Sequence, residues 1–153
     1  MQNSAVIRPF RQEDLGAVME IWLAANLQAH DFVPAAYWRA HYAEAAEGIA
    51  GAEVYVCEED GRLLGFAGLT GDYLAGLFVR PGEQSRGVGK RLLDRAKLGR
   101  ERLTLSVYGK NSRAAAFYAR EGFVPESSGT EENGEIELHL CWQKGGLQAE
   151  NAG

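Results

Sequence analysis

Gln84, Gly87 and Gly89 are spaced Q-x-x-G-x-G, and the residues around them make an anion-binding device. The apolar run Leu77-Phe78-Val79 ends a strand, Pro81-Gly82 breaks it, and a helix opens behind the glycines. Val88, Leu92, Leu93 and Ala96 fall at helical spacing and supply that helix with a buried face. Glycines let the backbone approach a ligand closely, and the first N–H groups of a helix have no partner inside it. Arg80, Arg86, Lys90, Arg91, Arg95 and Lys97 stand against Glu83 and Asp94, a local net charge of +4 in a chain of formal net charge −5. A basic helix face is commonly only a solvated one; here it coincides with the glycine loop, which points to phosphate.

The loop is not a P-loop, which needs G-K-[ST], nor a dinucleotide fingerprint, which needs G-x-G-x-x-G. Gln84-Ser85-Arg86-Gly87-Val88-Gly89, preceded by Leu77-Phe78-Val79-Arg80-Pro81, resembles the acetyl-CoA-binding motif of the GNAT superfamily of N-acetyltransferases. The resemblance implies direct attack of a neutral primary amine on the thioester of acetyl-CoA, with no covalent enzyme intermediate. It also implies that the backbone of Leu77 and Val79 pairs with the pantetheine arm. The N–H groups of Gln84, Arg86, Gly87, Val88 and Gly89 would bind the pyrophosphate, with Ser85 and Lys90 in the same cofactor-binding set. The N–H of Val79, or of its neighbour Phe78, would polarise the thioester oxygen.

A second constellation runs from Tyr108 through Asn111 to Tyr118 and Glu121-Gly122-Phe123. By the same resemblance Asn111 opens a helix beside the cofactor arm, as N-cap, cofactor ligand or both. Tyr118 points at the sulfur as general acid, and Phe117 turns to the core. Asn111 and Tyr118 are two helical turns apart and share a face. The competing reading of Tyr118 is a core tyrosine bonded to backbone. Leu74 to Phe78 holds none of the carboxylates that many superfamily members carry there, so the base is open among Asp72, His30, Asp31, His139 and a water chain. The acceptor site falls to the two N-terminal helices and the loop before the last strand, with His30, Phe32, Tyr37 and Tyr73 as candidate contacts and Trp38 as core. Glu126, Glu131 and Glu132 could attract a cationic acceptor.

The elements that must position these groups follow from periodicity and turn chemistry. Ala5 to Arg8 reads as a strand stopped by Pro9. Glu13 and Asp14 suit a helix start through the macrodipole, and Leu15, Val18, Met19, Trp22, Ala25 and Ala29 carry that helix to about Gln28. A second helix spans about Ala35 to Ala46. Strands 53–57 and 62–69 flank the hairpin signal Asp60-Gly61, and a third runs from Tyr73 to Val79. Leu103, Leu105 and Val107 alternate as a strand, a helix ends at Gly122, Phe123-Val124 starts another strand, Glu126 to Gly134 reads as polar and acidic, and Ile136 to Trp142 closes the set. The order β-α-α-β-β-β-α-β-α-β-β is that of the GNAT fold, an α/β mixed sheet of about seven strands with four helices. The run from Ile21-Trp22-Leu23 through His30 and Phe32 to Tyr37-Trp38 resembles a small bacterial group, some of whose members acetylate protein lysines.

A chain of 153 residues with 46% hydrophobic content supports one domain, expected over 1–143, with a flexible tail at 144–153. No apolar run is long enough to span a bilayer and MQNSAVIRPF lacks a secretory core, so a cytoplasmic protein without membrane contact is expected. Cys57 and Cys141 lack metal-ligand spacing and no metal is expected; the acidic balance argues against duplex nucleic acid as partner. The expected partners are acetyl-CoA and an amine acceptor, most plausibly a protein lysine or N-terminus. Small amines, aminoacyl-tRNA and a catalytically idle acyl-CoA sensor are the alternatives.

Overall fold

The structure is a computed structural model and describes residues 5–146. Seven strands form one sheet: β1 Val6–Pro9, β2 Glu53–Glu59, β3 Arg62–Thr70, β4 Tyr73–Val79, β5 Arg102–Tyr108, β6 Val124–Thr130 and β7 Ile136–Gln143, in the order β1-β2-β3-β4-β5-β7-β6. The helices are α1 Leu15–Ala29, α2 Ala35–Ala40, α3 Tyr42–Ala50, α4 Val88–Lys97 and α5 Ser112–Arg120. Helices α1 to α3 cover one face through a core of Met19, Ile21, Trp22, Trp38, Val56 and Phe66. On the other face Leu64, Leu69, Leu92, Leu93, Leu103 and Phe123 pack α4 and α5. Strand β3 is buried on both faces, which is why it reads as an unbroken apolar run.

All strand pairs are antiparallel except β4 and β5, and this exception shapes the molecule. Their parallel pairing holds only at Tyr73 with Thr104 and Leu74 with Leu105. On its other edge β4 carries a bulge: Gly68 pairs with Gly76 and Leu69 with Leu74, leaving Ala75 as the extra residue. Beyond the bulge β4 stays with β3 while β5 follows β7 along its whole length. A cleft opens between the two strands. Gly76 accommodates the bulge because the Phe78 ring lies across it; a Cβ there would stand 2.5 Å from the ring edge.

Three expectations change. The second helix is broken at His41, whose φ of −97° and ψ of 6° leave the helical region. Its imidazole Nδ1 takes the Tyr37 carbonyl at 2.7 Å, competing with the helical ladder, so the second helix is divided into the short α2 and the longer α3. Residues 126–130, read only as polar and acidic, belong to strand β6; its exposed edge position tolerates polar side chains on both faces. Asp14 lies one residue before α1, ends the short 3-10 turn Gln12–Asp14, and its carboxylate caps no N–H of α1 but binds Arg8. Of the expected tail, Lys144 bonds the Glu101 carbonyl at 2.8 Å, and residues 147–153 lie outside the described residues.

The Arg8 guanidinium grips both Asp14 oxygens at 2.9 and 3.0 Å and also bonds Glu58, while the Arg11 N–H donates to Asp14 at 2.7 Å. This ties β1 to β2 and to the start of α1. Asp14 is only 7% exposed, and its pairing with Arg8 holds the carboxyl below its ordinary value. A carboxyl depressed in the fold contributes stability that is complete above its unfolded pKa and is lost as pH falls through the folded one. Asp14→Asn should therefore destabilise the protein by about 2 kcal/mol at neutral pH. The difference from wild type should shrink on acidification below about pH 4, which denaturant titrations at several pH values will measure.

Candidate active site

The cleft between β4 and β5 has a volume of about 900 Å³, within the range of ligand pockets. Leu74 to Val79 form one wall and Leu105 to Tyr108 the other. From Ala75 onward the β5-facing backbone edge of β4 has no partner strand, so its amide groups need another partner. An extended ligand carrying amides of its own meets that need as an added strand would. Leu77 and Val79 pack toward the α4 side, and the Phe78 ring lies 5.3 Å from Phe66 on the other face.

Where β4 ends, the Arg80 N–H bonds the Leu64 carbonyl at 2.7 Å and the chain turns into the glycine loop. Gly82, Ser85 and Gly87 have φ of +94°, +74° and +80°. Ser85 in a left-handed conformation is uncommon for a residue with a Cβ and marks local strain. Gly87, at the N-cap of α4, needs glycine for its backbone alone. Gly89 differs: a Cβ there would meet Phe117 and Val79 at an ordinary 3.7 Å. The fold does not demand that glycine, which leaves close approach of a ligand as its use. The N–H groups of Val88, Gly89 and Lys90 form the first turn of α4 and have no intrahelical acceptor.

The side-chain charge is arranged differently from its sequence pattern. Arg86 turns away from the cleft to Glu83 at 2.6 Å and Glu59 at 3.0 Å, Arg80 bonds the Leu63 carbonyl, and Arg95 lies 4.2 Å over the Tyr55 ring. Lys97 donates to the Glu121 carbonyl. Of the six cations counted in the sequence only Lys90 lines the cleft, held by Glu121 at 3.2 Å. Arg113 and Arg120, which the sequence reading passed over, line it from α5. Spacing could have found them: they share the helix of Tyr118, outside the glycine motif. The anion device is thus chiefly backbone.

Asn111 caps α5 by accepting the Ala114 N–H at 3.1 Å. Tyr118 lines the cleft at 7% exposure, its ring 5.1 Å from Phe117 and 5.4 Å from Phe123, and its hydroxyl makes no hydrogen bond within the described residues. The ring belongs to the core cluster with Leu92 and Phe123, but among the described residues no backbone group takes its hydroxyl. Burial pushes the phenol well above its ordinary range, so it stays protonated near neutrality. Phe117, expected in the core, is the half-buried one of the two and also faces the cleft.

His30, Phe32, Trp38 and Tyr108 gather into one aromatic group, with His30 at 5.7, 5.5 and 4.8 Å from the other three rings. Tyr37 donates to Glu132 at 3.0 Å, and His41 reaches the same carboxylate at 3.0 Å, fixing the β6–β7 turn to α2. Tyr73 stands apart: it starts β4 before the splay, is exposed, bonds Ser106 at 3.3 Å and does not line the cleft. Asp72, Asp31 and His139 do not line it either; Asp72 faces Arg100 at 3.6 Å. The carboxylates that do line it, among the described residues, are Glu121, Glu131 and Glu137. Glu121 is occupied by Lys90. The neighbouring Glu137, together with burial, pushes the Glu131 carboxyl upward. Glu137 escaped the sequence reading because it lies in a strand, and its pairing opposite Tyr108 at the end of β5 brings it here.

A family model for the acetyltransferase (GNAT) domain matches residues 50–125. The chain is 38% identical over 120 residues to the peptidyl-lysine N-acetyltransferase YiaC of Escherichia coli, covering 77% of this chain and 82% of that relative. Its fold matches apo YjaB from Escherichia coli with a TM-score of 0.82 at 25% identity, over 90% of this chain and 97% of the other. It also matches yncA from Salmonella typhimurium, solved with its cofactor acetyl-CoA, with a TM-score of 0.65 at 20% identity over 92% and 94% of the two chains. Similarity of sequence over most of the chain and of the overall fold has a single consequence: the chain belongs to the GNAT family of N-acetyltransferases.

Proposed function

We propose that this enzyme transfers the acetyl group of acetyl-CoA directly to the ε-amine of a protein lysine. The mouth of the cleft carries the reading. Glu131 and Glu137 lie beside the aromatic group of His30, Phe32, Trp38 and Tyr108. Aromatic faces suit the aliphatic stem and cationic head of lysine, and paired carboxyls suit its ammonium. The names of the relatives YiaC and YjaB support the same acceptor class. Residues 1–143 form the catalytic domain in this reading, and the two free, buried cysteines, Cys57 and Cys141, accord with a reducing cytoplasm.

In the reaction the pantetheine amides of acetyl-CoA lie along Leu77, Phe78 and Val79, and the pyrophosphate sits on the backbone N–H groups from Gln84 to Lys90, with Ser85, Arg86, Gly87, Val88 and Gly89 between. Asn111 flanks the arm. Glu131 or Glu137 takes the proton from the acceptor ammonium. The freed nitrogen attacks the carbonyl carbon, the N–C bond forms, and the C–S bond breaks. A backbone N–H at Val79 or Phe78 steadies the oxyanion. Tyr118 gives its proton to the departing sulfur, and the second proton that the nitrogen loses as the amide forms restores the phenol through solvent.

Three measurements test this. A panel of lysine peptides, blocked N-terminal peptides and small amines, with acetyl-CoA, should give free thiol and Nε-acetyl-lysine by mass spectrometry; product formed only from small amines would overturn the lysine reading. Tyr118→Phe keeps the ring and should leave acetyl-CoA affinity and thermal stability near wild type while kcat falls about a hundredfold, the low end for a general acid assisting a fair leaving group. Wild-type turnover would return Tyr118 to packing alone. Because Glu137 and burial raise the Glu131 carboxyl, the rate should rise with pH through an ionisation above the ordinary carboxylate range. Glu137→Gln should lower kcat roughly tenfold or more and move that limb toward lower pH. An unmoved limb in both Glu131→Gln and Glu137→Gln would send the search for the base elsewhere.

A further inference from the structure

His30 entered as a candidate base and acceptor contact, but both of its ring nitrogens are engaged, with opposite polarity. On α1, the Asn26 Nδ2 donates to the Trp22 carbonyl at 3.0 Å, which turns Oδ1 toward His30 Nδ1 at 2.9 Å. An amide oxygen only accepts, so Nδ1 carries the proton. On α5, the Asn111 Oδ1 is taken by the Ala114 N–H at 3.1 Å, which leaves Nδ2 facing His30 Nε2 at 2.9 Å. An amide nitrogen only donates, so Nε2 is bare and its lone pair is used. Each asparagine is oriented by a backbone group, so the tautomer is set independently from both ends. Asn26 is 3% exposed, and the His30 ring is boxed by Phe32, Trp38 and Tyr108.

We propose that His30 is a positioning residue: a neutral imidazole, protonated at Nδ1, that joins the end of α1 to the N-terminus of α5 and so holds Asn111 and Tyr118 in register with β4 across the cleft. The joint spans residues 81 apart in sequence. Among the described residues the other side-chain hydrogen bonds across the same gap are exposed, Gln84 to Gln28 at 3.1 Å and Arg113 to Gln84 at 3.4 Å, and such contacts contribute little. A rigid α5 matters because misplacement of a reacting group by about 1 Å costs as much as about a hundredfold in rate. Burial drives the imidazole pKa down to about 4, in keeping with a ring that stays neutral.

The proposal rests on the cleft being the acetyl-CoA site, and two measurements keep the claims apart. Nitrogen-15 NMR of the ring-labelled wild-type protein should report Nδ1 protonated and Nε2 bare between about pH 6 and 8; the opposite tautomer, or a ring titrating near 6.5, would overturn the proposal regardless of activity. Acetyl-CoA affinity and steady-state kinetics should then be compared in His30→Phe and His30→Gln. The Phe variant loses both bonds and should bind acetyl-CoA about tenfold more weakly and turn over about tenfold more slowly. The Gln variant can offer an oxygen to Asn111 and should recover part of both losses, with the rising limb of the pH profile unmoved. Wild-type affinity and turnover in the Phe variant, or loss of that limb in the Gln variant, would overturn it, the latter making His30 the base. Failure of the wild type to bind acetyl-CoA would overturn the cofactor reading and the proposal with it.

Discussion

Parallel pairing between β4 and β5 ends after Leu74, and everything functional depends on that parting. Unpaired backbone groups inside a sheet are costly, on the order of 1–3 kcal/mol each when buried dry. The protein keeps them by leaving the edge open to a cleft. The bulge at Ala75 bends β4 away, and Gly76 lets Phe78 fold back across the bend. Gly65 performs the matching service on β3, where a Cβ would lie 2.6 Å from the Phe78 carbonyl. Two glycines, Gly65 and Gly76, therefore shape a gap rather than a turn.

Two ways of holding an anion are divided between backbone and side chains. The loop ahead of α4 supplies N–H groups in a conformation that only glycine, or a strained serine, adopts. Most surrounding cations do structural work instead: Arg86 ties the loop to β2 through Glu59, Arg95 covers Tyr55, and Lys97 stacks 5.0 Å over Trp142. Fixed dipoles keep their geometry when a ligand leaves, whereas long basic side chains must be ordered each time.

The two ends of the cleft differ in proton chemistry. Tyr118 is enclosed by Phe117 and Phe123 and retains its proton. At the opposite end the β6–β7 turn presents acids, held to α2 through Tyr37, His41 and Glu132 and to β5 through Asn133, which donates to Tyr108 at 2.9 Å. A phenol that keeps its proton and a carboxyl raised by its neighbour thus line the same cleft.

The sequence by itself determined the elements and the cofactor turn. Helical spacing at Val88, Leu92, Leu93 and Ala96, the Asp60-Gly61 hairpin with both residues at positive φ, and the Asn111 cap are signals contained within about a dozen residues. Local sterics and one periodic face suffice to specify them. Only the tertiary structure decided which side chains share the cleft. Tyr73 and Leu77 sit four residues apart in one strand, yet the splay begins between them, so one faces a paired strand and the other the cleft. Arg86 left the site for Glu59, Glu137 entered it from a strand, and His30 exchanged a base's free lone pair for a bond to Asn111. Each of these outcomes is set by a partner far away in the chain, through strand divergence and side-chain packing that no local pattern encodes.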